Sequence, residues 1–141
     1  MMLKLGLILG WILAGSLFSA TTSGHYLLME PIQTAMMKSD ISLLKSKSQH
    51  RISVNLEPPL ELNGYLYFDK FTENFSQKLS EFDTQKIEWS SRQLEEKYSV
   101  QSLNLTLKNK RTEKYIHYKF IFFLTKVKQE WKIYYLKGLT I

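Results

Sequence analysis

Three histidines, His25, His50 and His117, carry the side chain best suited to move protons or hold a metal near neutral pH. They are far apart in the chain and fall at neither HxH nor HxxxH spacing, so no metal site is expected and no cofactor is assigned. His117 is the best acid–base candidate. Its parity groups it with Lys119, opposite the apolar run Ile116, Tyr118 and Phe120, which points it outward as a surface or interface histidine. Asp69 and Asp83 bracket an amphipathic stretch, where capping and loop roles are the default, and Glu88 faces away from its neighbours Ile87 and Trp89. The chain has no cysteine, which excludes thiol catalysis, disulfides, zinc–thiolate sites and an acylated lipoprotein cysteine. GxSxG, P-loop and GxGxxG motifs are absent, and no catalytic residue is assigned. Asn74-Phe75-Ser76 and Asn104-Leu105-Thr106 match the glycosylation sequon, a pattern frequent by chance.

The formal charge is +6, but only Arg51, Arg92 and Arg111 among the 19 basic residues are arginines. Sequence-specific readers of nucleic acid rely on the bidentate arginine fork, and the lysines here are scattered apart from Lys108, Lys110, Arg111 and Lys114. We read a solvated basic face and expect no nucleic-acid partner. Met1–Lys4 followed by the uncharged apolar run Leu5–Leu17 and small residues up to Thr21 has the pattern of a secretory signal peptide. Residues 1–20 are expected to be cleaved, leaving an exported protein, periplasmic or secreted. The competing reading is an uncleaved inner-membrane anchor, since 18 residues from Leu3 are just long enough to span a bilayer. Membrane contact is expected only in that case.

After a linker at residues 21–29, one domain at 30–141 is expected. The spacing predicts helix from His25 to Lys47, with Glu30 and Pro31 in a first turn and a break near Asp40, a good N-cap. His50–Glu57 alternates as a half-buried strand ended by Pro58-Pro59. Asn63-Gly64 reads as a hairpin turn, or as a loop into the next helix. In that helix Phe68, Phe71, Phe75, Leu79 and Phe82 form one stripe, with Asp69 as candidate N-cap. Lys86–Arg92 reads as a strand. Tyr98–Lys108 is a second, whose apolar parity slips near Gln101-Ser102 and suggests a β-bulge there.

The aromatic and β-branched stretch Tyr115–Ile141 is expected to form a long hairpin. A two-residue turn at Lys128-Gln129 sets Leu124 opposite Ile133 and Phe122 opposite Tyr135. Tyr118, Phe120, Phe122 and Leu124 then face inward with Trp131, Ile133 and Tyr135. Ile121, Phe123, Tyr134 and Leu136 are left on the outer face as candidate interface residues. The element order implies an α+β fold: a curved antiparallel sheet of about five strands with two to three helices on one face.

Ile41–Leu44 leading into Arg51–Leu56, Gly64-Tyr65 before the helix Asp69–Phe82, and the closing strands Tyr115–Leu124 and Trp131–Leu139 resemble the nuclear-transport-factor-2-like superfamily, also called cystatin-like. More narrowly, the chain resembles small secreted bacterial domains of this superfamily whose function is unknown. The resemblance covers roughly residues 30–141 and implies a cone closed by its helices. Some members are isomerases or dehydratases with pocket Asp, His and Tyr, some bind small ligands, and some dimerise through the outer sheet face. Tyr118, Tyr135, Trp131 and Trp89 are the candidate pocket lining here. Two function classes therefore stand side by side: a non-enzymatic interaction or homodimerisation module, and a ligand-binding or isomerase-like cone. A membrane-anchored envelope subunit is the third alternative.

Overall fold

The computed structural model describes residues 26–141; the expected export segment lies outside them. Helix α1 (Met29–Met37) and a 3-10 helix (Ile41–Lys47) precede strands β1 (Ser48–Leu56) and β2 (Leu62–Tyr67). Helix α2 (Phe68–Leu79) follows, then β3 (Phe82–Leu94), β4 (Tyr98–Asn109), β5 (Tyr115–Val127) and β6 (Glu130–Thr140). The strands make one open six-stranded sheet in the order β2-β1-β6-β5-β4-β3, with the helices on one face. The α+β architecture is the expected one. The sheet has a sixth strand and is mixed rather than purely antiparallel, because β1 lies parallel to β6.

Local chemistry explains the helical boundaries. Ser39, at positive φ, ends α1, and the Asp40 carboxylate then caps the 3-10 helix by accepting from the Ser42 amide. Tyr67, not Asp69, occupies the N-cap position of α2; Asp69 sits in the first turn and pairs instead with Lys45 at 2.9 Å. The stripe Phe68, Phe71, Phe75 and Leu79 is buried as its spacing requires, while Phe82 opens β3 and is buried there. Asn63-Gly64 is not a turn. Both residues lie inside β2, where Gly64 takes φ 143°, a conformation favouring glycine, and the chain reverses earlier, over Glu57–Glu61 around the two prolines.

Aromatic rings run in one chain from helix to sheet. Phe71 meets Phe75 at 5.2 Å between ring centres, Phe75 meets Phe120 at 5.9 Å, and Phe120 meets Tyr118 at 5.0 Å. These rings are fully buried, and each contributes about 1.5–3 kcal/mol of transfer free energy. They fix the helices over the inner face of β5. Among the described residues, no helix lies over the outer face.

Two irregularities decide which residues face which way. Lys128 and Gln129 both take positive φ and close the β5–β6 hairpin, with Leu124 opposite Ile133 as the pattern predicted. Tyr134 is then an extra residue in β6, so Phe123 pairs with Tyr135 and Phe122 with Leu136. The second irregularity lies in β3, where Ser90 is inserted between the pairs Trp89–Leu103 and Ser91–Ser102. The bulge expected near Gln101-Ser102 is thus on the neighbouring strand. Strand β4 pairs with β5 without a break in register, so buried Ser99 and Gln101 share the inner parity of Leu103, Leu105 and Leu107, while Ser102, also buried, lies opposite the β3 bulge. Bulges and the charged Lys86, Glu88 and Arg92 blunt β3, one of the two sheet edges.

Candidate functional site

The four candidate pocket residues do not converge. Tyr118 is 0% exposed, and its hydroxyl donates to the Glu57 carbonyl at 2.7 Å. Its ring fills the space over Gly138, where a Cβ would lie 2.6 Å from Tyr118 Cε2. Burial, and then the nearby Glu57 carboxylate, push its pKa far above the ordinary tyrosine value. Tyr118 is therefore a neutral hydrogen-bond donor sealed in the core. Trp89 lies toward the other end of the inner face, its indole N–H donating to Gln33 Oε1 at 2.6 Å and its ring 4.8 Å from that of Tyr26. Trp131 is half-buried near the hairpin turn, with Lys126 Nζ 5.8 Å from its ring. Tyr135 is on the outer face, turned there by the Tyr134 insertion, and stacks on Phe123 at 4.7 Å.

Between α2, the 3-10 helix and the sheet a cavity of only about 10 Å³ remains, lined by Ile41, Leu44, Phe71, Phe122 and Leu136 among others. That is about the space of one water, and its walls are apolar. Toward the N-terminal end, the Gln101 side-chain amide grips the backbone of Leu27. Its Oε1 accepts from the Leu27 N–H at 2.9 Å and its Nε2 donates to the Leu27 carbonyl at 2.5 Å. The amide pairs as a strand neighbour would, and draws residues 26–28 against the inner face. No periodicity in the sequence signals this, since the two groups are 74 positions apart. Among the described residues no three His, Asp or Glu converge as metal ligands. His117 lies outside, its Nδ1 3.4 Å from Thr106 Oγ1.

The outer face carries the other cluster. Ile121, Phe123 and Tyr134 are half-buried there, with the Phe123 and Tyr134 rings 6.4 Å apart. Leu136 is not among them: at 1% exposed it belongs to the core, and Tyr135 takes its place. Val100 of β4 pairs with Phe123 and extends the patch, which Lys119 and Lys137 flank. Further along, on β1 and β2, the Arg51 guanidinium carbon lies 4.4 Å from the Tyr65 ring centre and 4.7 Å from that of Tyr67. The only advance signal of this second cluster is the pair of tyrosines two apart, Tyr65 and Tyr67, whose shared face becomes meaningful once β2 is known to be a strand.

No protein-family model matches the sequence, and no curated protein matches it. Solved structures do match in fold. A DUF4783 family protein from Bacteroides uniformis superposes with a TM-score of 0.67 at 9% identity, over 81% of this chain and 97% of that one. A domain of unknown function with a cystatin-like fold from Nostoc punctiforme gives 0.66 at 7% identity, covering 89% and 80%. An NTF2-like protein from Cytophaga hutchinsonii gives 0.61 at 10% identity, covering 89% and 100%. The fold is thus that of NTF2-like, or cystatin-like, proteins, mostly small bacterial domains of unknown function.

Proposed function

We propose that this NTF2-like domain is a non-enzymatic interaction module that pairs with a second copy of itself through its outer sheet face, acting outside the cytoplasm after export. The observation that carries the reading is the half-buried aromatic patch of Phe123, Tyr134 and Tyr135 with Ile121, on a face that no helix of the described residues covers. Charged Lys119 and Lys137 then lie beside the apolar centre, their aliphatic stems contributing contact while their ammonium groups reach the rim. An isomerase-like or ligand-binding cone gains no such support, since Phe71, Phe75, Tyr118, Phe120 and Phe122 fill the interior.

Molar mass from light scattering across a concentration series tests the pairing. The wild type is expected at twice the chain mass, and Phe123→Lys at the chain mass with an unchanged circular dichroism spectrum. A wild type that stays monomeric at high concentration overturns the proposal. Intact-mass analysis of protein recovered from cells tests export: a chain starting between about Leu17 and Thr22 supports it, and an intact Met1 supports the anchored alternative.

A further inference from the structure

We infer that Arg51, held over Tyr65 and Tyr67 beside the cleft where β1 and β6 part, is a binding site for a small organic carboxylate. The cleft arises from strand register. Ser48 pairs with Ile133 and Ser53 with Tyr135, so between these anchors β1 threads Gln49, His50, Arg51 and Ile52 past the single residue Tyr134 of β6. The strands cannot stay paired across that mismatch, and they open a cleft of about 510 Å³ beside Gln49, His50, Arg51, Tyr65, Val127 and Lys132.

Arg51 is prepared for a ligand in two ways. The rings of Tyr65 and Tyr67 hold the guanidinium in place, so little side-chain freedom is left to lose on binding. Its N–H donors remain unused: among the described residues none bonds to an acceptor, and no carboxylate lies within ion-pairing distance. The neighbouring cations are already engaged. Lys45 pairs with Asp69 at 2.9 Å, while Lys132 pairs with Glu130 at 3.5 Å and also donates to the Ser46 carbonyl at 2.6 Å. The cleft therefore offers one unneutralised charge with a planar fork of donors. That matches a carboxylate, with one charge and two coplanar oxygens, better than a phosphate dianion. Tyr65, 59% exposed, and Val127 supply apolar surface for the carbon frame that bears it.

The test is a titration of isotope-labelled protein, followed by the Arg51 side-chain N–H and the backbone amides of Gln49, His50 and Tyr65, at constant ionic strength. Sodium benzoate is the probe, with benzamide and inorganic phosphate titrated in parallel. Benzoate is expected to saturate in about the millimolar range, from the bidentate fork together with contact of its ring on Tyr65 and Val127. Arg51→Lys is expected to weaken it about five-fold or more through loss of the fork, and Arg51→Gln to abolish it. The proposal is overturned if benzoate produces no saturable shift, if benzamide or phosphate binds as well, or if Arg51→Gln binds like the wild type. The amide spectrum itself reports that each variant is folded. Repeating the titration on Phe123→Lys, whose substitution lies outside the cleft lining, separates failure of this site from failure of the self-pairing reading.

Discussion

Replacing Tyr118 by Phe removes one oxygen from the centre of the fold and changes the pH dependence of stability in a calculable way. At neutral pH the variant loses the 2.7 Å hydrogen bond to the Glu57 carbonyl, a cost of about 1–2 kcal/mol. Above pH 10 the comparison turns. The unfolded tyrosine ionises near pH 10, whereas burial and the Glu57 charge hold the folded phenol neutral well beyond that. Over this range the folded state keeps a proton that the unfolded state has lost, so stability falls as pH rises. The unfolded wild type gains about 1.4 kcal/mol from ionisation by pH 11 and about 2 kcal/mol by pH 11.5. Tyr118→Phe has no such group, so its deficit should shrink from pH 10, vanish near pH 11, and reverse above it. Lysine titration is common to both proteins and cancels in the difference. Urea unfolding followed by circular dichroism at pH 7, 9, 10, 11 and 11.5 measures the difference directly. A deficit that stays constant from pH 7 to 11.5 would refute the assignment of Tyr118 as a buried neutral donor.

The two faces of β6 make an equally direct comparison. Leu136→Lys places a charge in the core and should cost about 3 kcal/mol or more, enough to lose cooperative unfolding, whereas Tyr135→Lys should keep the fold and lose only self-association; equal stability of the two variants in urea would contradict the register. Gly138→Ala puts a methyl 2.6 Å from the Tyr118 ring and 2.8 Å from Leu56 Cδ2, and overpacking should cost about 1–3 kcal/mol, partly recovered by adding Tyr118→Leu, as read from paired denaturation curves. Phe123→Lys should halve the molar mass, and Arg51→Gln should erase the benzoate response while leaving the molar mass unchanged.

Much of the fold was legible because it is written in local periodicity. The Phe68–Leu79 stripe, the strand Ile52-Val54-Leu56 and the inward row Tyr118-Phe120-Phe122-Leu124 each repeat with the period of the element they form, so burial followed from spacing. The Lys128-Gln129 turn and the first pairs beyond it were legible too, since the strand patterns on either side constrain them. The sequence could not show where a strand takes in one extra residue. A bulge is selected by packing on both sides of the sheet, and because side chains alternate with period two, the single insertion of Tyr134 sent Tyr135 outward and Leu136 inward. The same holds for the parallel β1–β6 pairing and its mismatch, which involves residues more than 80 positions apart, and for the Gln101 grip on Leu27. Residue types and spacing alone thus determined the layers and the core of this protein. The tertiary structure decided which residues its open face presents and where its cleft lies, because those depend on long-range register, which no local pattern encodes.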